Sequence, residues 1–256
     1  MTAASTHIAL PASQAAGVPV AFARLAAVLV CVIGEIVLAM WLGIIPADAL
    51  PSLVGMTPLA ALGVILAGLG LLCLTYKTIR ILARLIGLFL VLAGVVLLGQ
   101  GLLGVDFGLD RALIAPGFAP GGAIATSTAP GLTGALVLFG LALLYAKRGP
   151  ALSIFAQAIA LIMLAQVLIV VAGHVYGVDT SNYPFPFTPL TAYGAASVVL
   201  LAVGFIAASP ERGIAAAIVE QSPAGEMLRR LLPGILVLPL VIGWFVRQAE
   251  LRAFYD

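Results

Sequence analysis

Charged residues are scarce in this chain. Asp, Glu, Lys and Arg together make up 9% of its 256 residues, whereas hydrophobic residues make up 63% and the mean hydropathy is +1.22. A soluble domain of this length would need far more charge to cover its surface. The composition therefore predicts that most of the chain lies in a lipid bilayer.

The apolar runs also lack the alternation of apolar and polar residues that marks a transmembrane β-strand. In lipid every backbone polar group needs a partner within the protein, so only helices and closed barrels can cross the membrane. The runs are about 16 to 23 residues long, which suits helices that cross a hydrocarbon core of ~30 Å. The predicted fold class is all-α, a polytopic transmembrane helical bundle.

Residue types that common cofactors require are rare. Cys31 and Cys73 are the only cysteines, which argues against a disulfide framework and a cysteine metal site. The only lysines, Lys77 and Lys147, lie in short polar turns, which excludes a retinal Schiff base on a helix. The only other histidine besides His174 lies in the N-terminal tail, which excludes a haem held by two histidines. No enzyme motif occurs, and we predict no cofactor, no metal, no catalytic residue and no nucleic-acid partner.

Seven hydrophobic spans are predicted along the chain. They cover residues 25–45, 57–76, 81–103, 130–146, 151–173, 189–208 and 231–246. The predicted organisation is a cytoplasmic N-terminal tail (1–24), a six-helix membrane bundle (25–208), an interfacial cytoplasmic segment (209–230) and a seventh hydrophobic helix with the C-terminal tail (231–256). The seventh span is short and contains two prolines, so it is thin, kinked or re-entrant.

Three prolines recur at the start of apolar runs. Pro58, Pro130 and Pro189 each open a run that follows another apolar run and a polar stretch, which predicts three two-helix hairpins. Thr57 and Thr188 precede two of these prolines and are expected to be helix N-caps. Proline at the first helical position costs no hydrogen bond, so each return helix is predicted to begin there.

Lysine and arginine are distributed unevenly between the two sets of loops. With a cytoplasmic N-terminus, nine of these residues fall on the inner side and three on the outer side. The positive-inside tendency therefore predicts a multi-pass protein with its N-terminus in the cytoplasm. Seven spans would leave Arg247 and Arg252 outside, so either the last span does not cross or the natural chain continues into an eighth.

Glu35 is the one ionisable side chain deep within a predicted span. Because a charged carboxylate there costs several kcal/mol, we expect it to be protonated, paired or in a polar cleft. It is a candidate ligand or switch residue, and the alternative is a protonated carboxyl bonded to a neighbouring helix. Gln157 and Gln166 are candidate companions, although such amides more often join helices. Glu35 and Gln166 would line a polar pocket if they faced each other.

Other candidates lie near the predicted membrane surfaces. His174 could ligate a tetrapyrrole or sense pH, or it could be an ordinary interfacial residue. Asp106 and Asp110 could bind a cation or cap turns. On the inner side, Arg229 and Arg230 belong to the interfacial segment, which could relay a signal or be an ordinary loop.

Several motifs occur in a familiar order. The run from Trp41, WLGIIPADALPSLVGMTPLAALGVILAGLGLL, fits a G-M-x-P-N-T-A element, with Leu-Ala in place of Asn-Thr. LLGVDFGLDRAL and then SPERGIAAAIVEQSPAGEMLRRLLPGILVLPLVIGW follow. On these motifs the chain resembles the N-terminal integral-membrane sensor region of bacterial sensor histidine kinases and some diguanylate cyclases. The resemblance implies a location in the bacterial inner membrane and catalytic modules further along, and the missing Asn-Thr implies that any ligand role of that pair is lost.

Together these features predict a membrane-embedded sensory or input module that relays a signal by helix repacking. The alternative is a stand-alone scaffold or accessory subunit of a larger membrane complex. A third hypothesis is a small-solute or proton transporter in which Glu35 titrates within a water-accessible pocket. The expected partners are the lipid bilayer and either a second copy of the chain or another membrane protein.

Overall fold

A computed structural model describes residues 12–46, 56–103, 130–175 and 190–211, together with residues 213, 216, 226, 227 and 248. Within these residues the protein is all-helical, as predicted, and contains no strand. Its helices are α1 (Ala12–Trp41), α2 (Pro58–Thr75), α3 (Arg80–Leu103), α4 (Pro130–Tyr145), α5 (Pro150–Val175) and α6 (Ala192–Ala207).

Consecutive helices run antiparallel. Helices α1, α3 and α5 therefore begin at the end of the bundle where α2, α4 and α6 finish. The most extensive helix contacts are between α1 and α2 and between α3 and α4, which we call the α1–α2 pair and the α3–α4 pair. Helix α5 packs on α4 and α6, and α6 closes the bundle against α1. In the core, Phe139 of α4 meets Phe205 of α6 edge to face, with 6.1 Å between the ring centroids.

Glycines bring the backbones of each pair into direct contact. A Cβ atom placed on Gly68 of α2 would lie 2.9 Å from the carbonyl oxygen of Ala27 in α1. Gly87 and Gly140 face each other across the α3–α4 pair, where a Cβ on Gly140 would lie 2.7 Å from the Gly87 carbonyl oxygen. Membrane helices commonly approach closely through such small residues.

The outward surface of the bundle is strongly apolar. Along α3 the exposed side chains include Leu85, Leu88, Phe89 and Leu92. In the part of the chain that the structure describes, four helical segments are long and apolar enough to cross a membrane: Gly17–Trp41, Pro58–Thr75, Arg80–Gln100 and Pro150–Gly173. An apolar exterior on helices of this length suits lipid rather than water as the surrounding medium.

The predicted number of spans is established only in part. Helices α4 and α6 have 16 residues each, which gives a length of about 24 Å at 1.5 Å per residue. They are shorter than the four helices long enough to cross a membrane, the shortest of which has 18 residues, and fall below the range of about 17 to 25 residues of transmembrane helices. The predicted span 231–246 lies outside the described residues, so a count of seven stays a prediction.

The first helix differs from its prediction at both ends. It begins at Ala12 rather than at residue 25, so the predicted tail 1–24 is helical from there onwards, with Pro19 inside the helix. It ends at Trp41 rather than at residue 45 because Gly43 takes a positive φ of 72°. The N–H of Gly43 donates to Met40 and that of Ile44 to Ala39, which is the Schellman pattern that satisfies the last carbonyls of a helix.

The predicted helix starts agree with two of the three prolines. Pro58 is the first residue of α2, and the Thr57 hydroxyl accepts a hydrogen bond from the Ala60 N–H at 3.3 Å, as expected of an N-cap. Pro130 is the first residue of α4. The start predicted at Pro189 for the sixth helix is wrong, because α6 begins at Ala192.

The capping residue of α6 is Thr191, not Thr188. Its hydroxyl accepts the Gly194 N–H at 3.1 Å, so this threonine satisfies an N–H group of the first helical turn. Two threonines three positions apart offer equivalent caps in the sequence, and the structure has the second of them as the cap. Pro189 and Thr188 lie outside the described residues.

Candidate functional site

All lysines and arginines in the described part of the chain lie at one end of the bundle. We call this the basic end; there α2, α4 and α6 finish and α3 and α5 begin. Its basic residues are Arg24, Lys77, Arg80, Arg84, Lys147 and Arg148. Three helices direct their C-terminal carbonyls towards this end, and cations near such carbonyls are stabilised by the helix dipole. The positive charge is therefore concentrated on one side, as the distribution of lysine and arginine between the two sets of loops predicted.

Arg24 joins α1 to the end of α2. Its Nε lies 3.4 Å from the Thr75 hydroxyl, and its guanidinium carbon lies 4.5 Å from the centroid of the Tyr76 ring. A guanidinium group over an aromatic face is attracted by the ring quadrupole. Arg24 is thus engaged in holding the α1–α2 pair together at the basic end.

A polar recess of about 250 Å³ opens at the basic end. Residues from α1, from the start of α3, from the α4–α5 turn and from the segment after α6 surround it. They are Val20, Arg80, Lys147, Ala208, Ser209, Pro210 and Glu211. Two cations and a buried hydroxyl therefore converge on one cavity, with the exposed carboxylate of Glu211 at its border.

Lys147 reaches the recess through an unusual backbone conformation. It has φ of 58°, in the left-handed region that follows the C-cap of many helices and that usually takes glycine. For a residue with a Cβ this conformation costs about 1 kcal/mol. The Lys147 ammonium nitrogen donates to the Leu74 carbonyl oxygen at 3.5 Å, so it also covers the C-terminal end of α2.

Arg80 is the first residue of α3 and is half-buried. Its Nε atom is buried, and among the described residues no atom accepts a hydrogen bond from it. A buried donor without an acceptor is unfavourable by about 1 to 3 kcal/mol, and more when the group is charged. Arg80 also lines the recess, so its guanidinium group lies at the wall of a polar cavity.

A second, apolar groove of about 610 Å³ lies on the other half of the bundle, between α2, α3 and α4. Leu62, Leu66, Phe89 and Leu97 are among its lining side chains, and Thr133 is the one polar residue among them. In a bilayer this groove faces hydrocarbon. Its described lining has no converging polar groups that would select a particular ligand.

Glu35 lies on the exposed side of α1, away from both cavities. The adjacent Gly34 faces inwards, against Ile65 and the Ala61 carbonyl of α2, and this contact orients the next residue outwards. Gln166, by contrast, is buried, so among the described residues the two side chains do not line a common pocket. The sequence could place Glu35 at the middle depth of a span but could not show which face of α1 is buried.

Gln166 joins two helices, as the alternative prediction held. It is 2% exposed, and its Nε2 donates to the Gly131 carbonyl oxygen at 2.8 Å, which connects α5 to the first turn of α4. Gln157 is also buried on α5, beside the backbone of Gly213 in the segment after α6. The two amides thus serve different contacts along α5.

The remaining candidates are not brought together by the described structure. His174 is in the last turn of α5. Asp106, Asp110, Arg229 and Arg230 lie outside the described residues. Within the residues that are described, no three His, Cys, Asp or Glu side chains are grouped so that they could hold a metal ion.

Sequence reasoning missed the recess residues Arg80 and Ser209 as a site. Both lie at helix ends, where a charged or hydroxylated residue is ordinary and attracts no attention. The available signal was that Lys77, Arg80 and Lys147 occupy two tight turns predicted on the same side of the membrane. Comparison with known protein families, with curated proteins and with solved structures finds no match to this chain.

Proposed function

We propose that this chain is a membrane-embedded input module, which relays a signal by moving its helix pairs against each other. In this proposal it lies in the bacterial inner membrane, with its N-terminus and basic end in the cytoplasm. Three hairpins and a seventh span complete its topology. The resemblance to sensor regions of histidine kinases and diguanylate cyclases supports the assignment, and so does the packing between the pairs.

The observation that carries the proposal is a difference between two kinds of helix contact. Within each pair, backbone meets backbone at Gly68 and at Gly87–Gly140. Between the pairs, a Cβ on Gly63 would meet only Cδ1 and Cγ of Leu136. A Cβ on Gly70 would meet Cδ1 of Leu143 and the side chain of Ile86. Side-chain ends can change rotamer whereas backbones cannot, so movement between pairs costs less than movement within a pair.

Disulfide trapping tests whether the pairs move. In a C31A/C73A background, G70C/I86C would join the pairs, since a Cβ on Gly70 lies 3.8 Å from that of Ile86. G94C/V137C is the matched control within the α3–α4 pair, at 3.7 Å. Both distances suit a disulfide. We expect the oxidation rate of G70C/I86C alone to change between thin and thick phosphatidylcholine bilayers. Equal responses of both cysteine pairs would contradict the proposal.

The signalling assignment needs a separate experiment. The tagged chain would be cross-linked in the source cells and purified in mild detergent, and its companions identified by mass spectrometry. We expect a histidine kinase or a cyclase, either as a companion or as part of the same polypeptide. A complex of fixed stoichiometry without any signalling enzyme would favour the scaffold hypothesis instead.

One observation favours that second candidate function. Glu35 is exposed on α1 among apolar side chains such as Val28, Leu29 and Val32, which are exposed as well. A carboxyl group at this depth is unfavourable against lipid tails, and a partner helix with a hydrogen-bond donor would stabilise it. Loss of the co-purified companion on Glu35→Leu, with retention on Glu35→Gln, would support a scaffold or accessory subunit.

The proposed orientation can be tested by cysteine labelling. In the same C31A/C73A background, K77C lies at the basic end, and I44C lies at the opposite end, just after α1. Both native residues are exposed. We expect a membrane-impermeant maleimide to label I44C in intact cells and K77C only after permeabilisation. The reverse result would place the N-terminus outside.

A further inference from the structure

We infer that the recess at the basic end binds a phosphate group, supplied by the headgroup of an anionic phospholipid. The inference does not depend on signalling. It starts from Arg80, which lines the cavity and whose Nε has no acceptor among the described residues. A guanidinium group is well suited to phosphate, because its N–H donors match the spacing of two phosphate oxygens.

Further donors surround the same cavity. Lys147 and Ser209 both line it, and Ser209 is only 8% exposed. Helix α3 begins at Arg80, so the positive end of its dipole lies at this end of the bundle, where the C-terminal ends of α4 and α6 lie as well. Charged and neutral donors thus approach one volume from α3, from the α4–α5 turn and from the end of α6.

The charge balance of the recess favours an anion. Among the described residues that line it, two are cations and one is a carboxylate, that of Glu211, which is exposed and therefore screened by water and salt. The volume of about 250 Å³ can hold a phosphate with part of its ester substituent.

The surroundings of the recess favour a lipid as the source of the phosphate. Val20 forms part of the wall, and on the same stretch of α1 Val18 is 74% exposed and Phe22 is 42% exposed. These apolar side chains would contact acyl chains while the headgroup enters the recess. Basic pockets at the ends of membrane helices are known to hold acidic lipid headgroups in this way.

Lipid binding to the purified full-length chain tests the inference. Native mass spectrometry would compare retention of phosphatidylglycerol and phosphatidylcholine by the wild type, R80Q, R80K, K147Q and R148Q. Arg148 is the matched control, because it is exposed, adjacent to Lys147 and outside the recess. We expect phosphatidylglycerol to bind about tenfold more weakly to R80Q, as befits a lost charged hydrogen bond, and unchanged to R148Q.

The variants separate a specific site from general attraction. R80K keeps the charge without the guanidinium fork, so an intermediate affinity is expected. K147Q should weaken phosphatidylglycerol binding as well, so the test still works if R80Q fails to fold. A thermal unfolding scan of each variant shows whether it is folded. Equal weakening by R148Q and R80Q, or equal retention of both lipids by the wild type, would overturn the inference.

A last experiment distinguishes a lipid headgroup from inorganic phosphate as the source of the bound phosphate group. Inorganic phosphate would be added to the lipid-free protein in a neutral detergent, and the unfolding temperature measured. A rise with inorganic phosphate that exceeds the rise with phosphatidylglycerol would overturn the lipid as the ligand. A rise with phosphatidylglycerol alone, lost in R80Q, supports the inference as stated.

Discussion

The contacts within the helix pairs and the contacts between them are built differently. In the α3–α4 pair the Gly87 and Gly140 backbones lie so close that neither position has room for a methyl group. At Gly63, between the pairs, the same methyl group would meet only the end of the Leu136 side chain. The two contacts use the same residue type, and the neighbouring atom decides how rigid each one is.

This difference shows how a bundle whose described core contains no charged residue can be rigid in some places and adaptable in others. Lipid tails are as apolar as leucine, so burial alone does not hold membrane helices together. Close backbone packing and a few hydrogen bonds do so instead. The four substitutions below test the comparison, in order of decreasing expected effect on the free energy of unfolding, measured in detergent micelles or bicelles.

Gly140→Ala should have the largest effect. Its new methyl group would lie 2.7 Å from the Gly87 carbonyl oxygen and 3.1 Å from the Leu90 Cβ, and neither atom can rotate away. We expect the free energy of unfolding to fall by about 3 kcal/mol, the upper range for overpacking. The control is Gly99→Ala, which has open space around it on α3 and should not destabilise the protein. Similar values for both would contradict the backbone contact.

Gly68→Ala should destabilise the α1–α2 pair by about 2 kcal/mol. The methyl group would lie 2.6 Å from Cys31 Sγ and 2.9 Å from the Ala27 carbonyl oxygen. Adding Cys31→Ala removes the sulfur but leaves the carbonyl, so we expect only partial recovery of stability. Full recovery in the double variant would show that α1 and α2 touch through side chains alone.

Gln166→Leu should lower the free energy of unfolding by about 1 kcal/mol. It removes the donor of the 2.8 Å hydrogen bond to the Gly131 carbonyl oxygen and leaves that carbonyl buried. Ile162→Leu, on the exposed side of the same helix, is the control and should be neutral. No loss with Gln166→Leu would mean that the bond between α5 and α4 adds nothing to stability.

Gly63→Ala should have the smallest effect, below about 0.5 kcal/mol in either direction. The Leu136 side chain can change rotamer to admit the methyl group, and alanine favours the helix over glycine. The same unfolding measurement checks the prediction. A loss as large as that of Gly140→Ala would make the contact between the pairs rigid and would remove the basis for the proposed repacking.

The sequence predicted a helix start correctly where the interactions that decide it lie within one helical turn. Thr57 followed by Pro58 predicted the start of α2, since a hydroxyl cap and a fixed φ act within one turn. The same reasoning was wrong at Pro189, because Thr191 supplies an equally good cap further along. The early end of α1 could have been found from Gly43, which a Schellman ending favours.

The candidate site depended on information that no local pattern carries. The basic turns were recognised from the sequence, but Arg80 and Lys147 belong to different turns, and Ser209 follows a helix that comes later in the chain. Only the packing of helix ends brings these groups around one cavity. Packing leaves Glu35, by contrast, outside any such site. A residue at the middle of a span can face the core or the lipid, and Glu35 is exposed.

Composition and run length determined that this protein is helical and suited to lipid, because unpaired backbone groups and uncovered charges are too costly there. The distribution of lysine and arginine determined that one end of the bundle would be basic. The tertiary structure alone decided which helices form tight pairs, which way Glu35 faces and where the recess opens. Those outcomes depend on distances between backbones of helices far apart in sequence, and such distances are set by packing rather than by the local preferences of any residue.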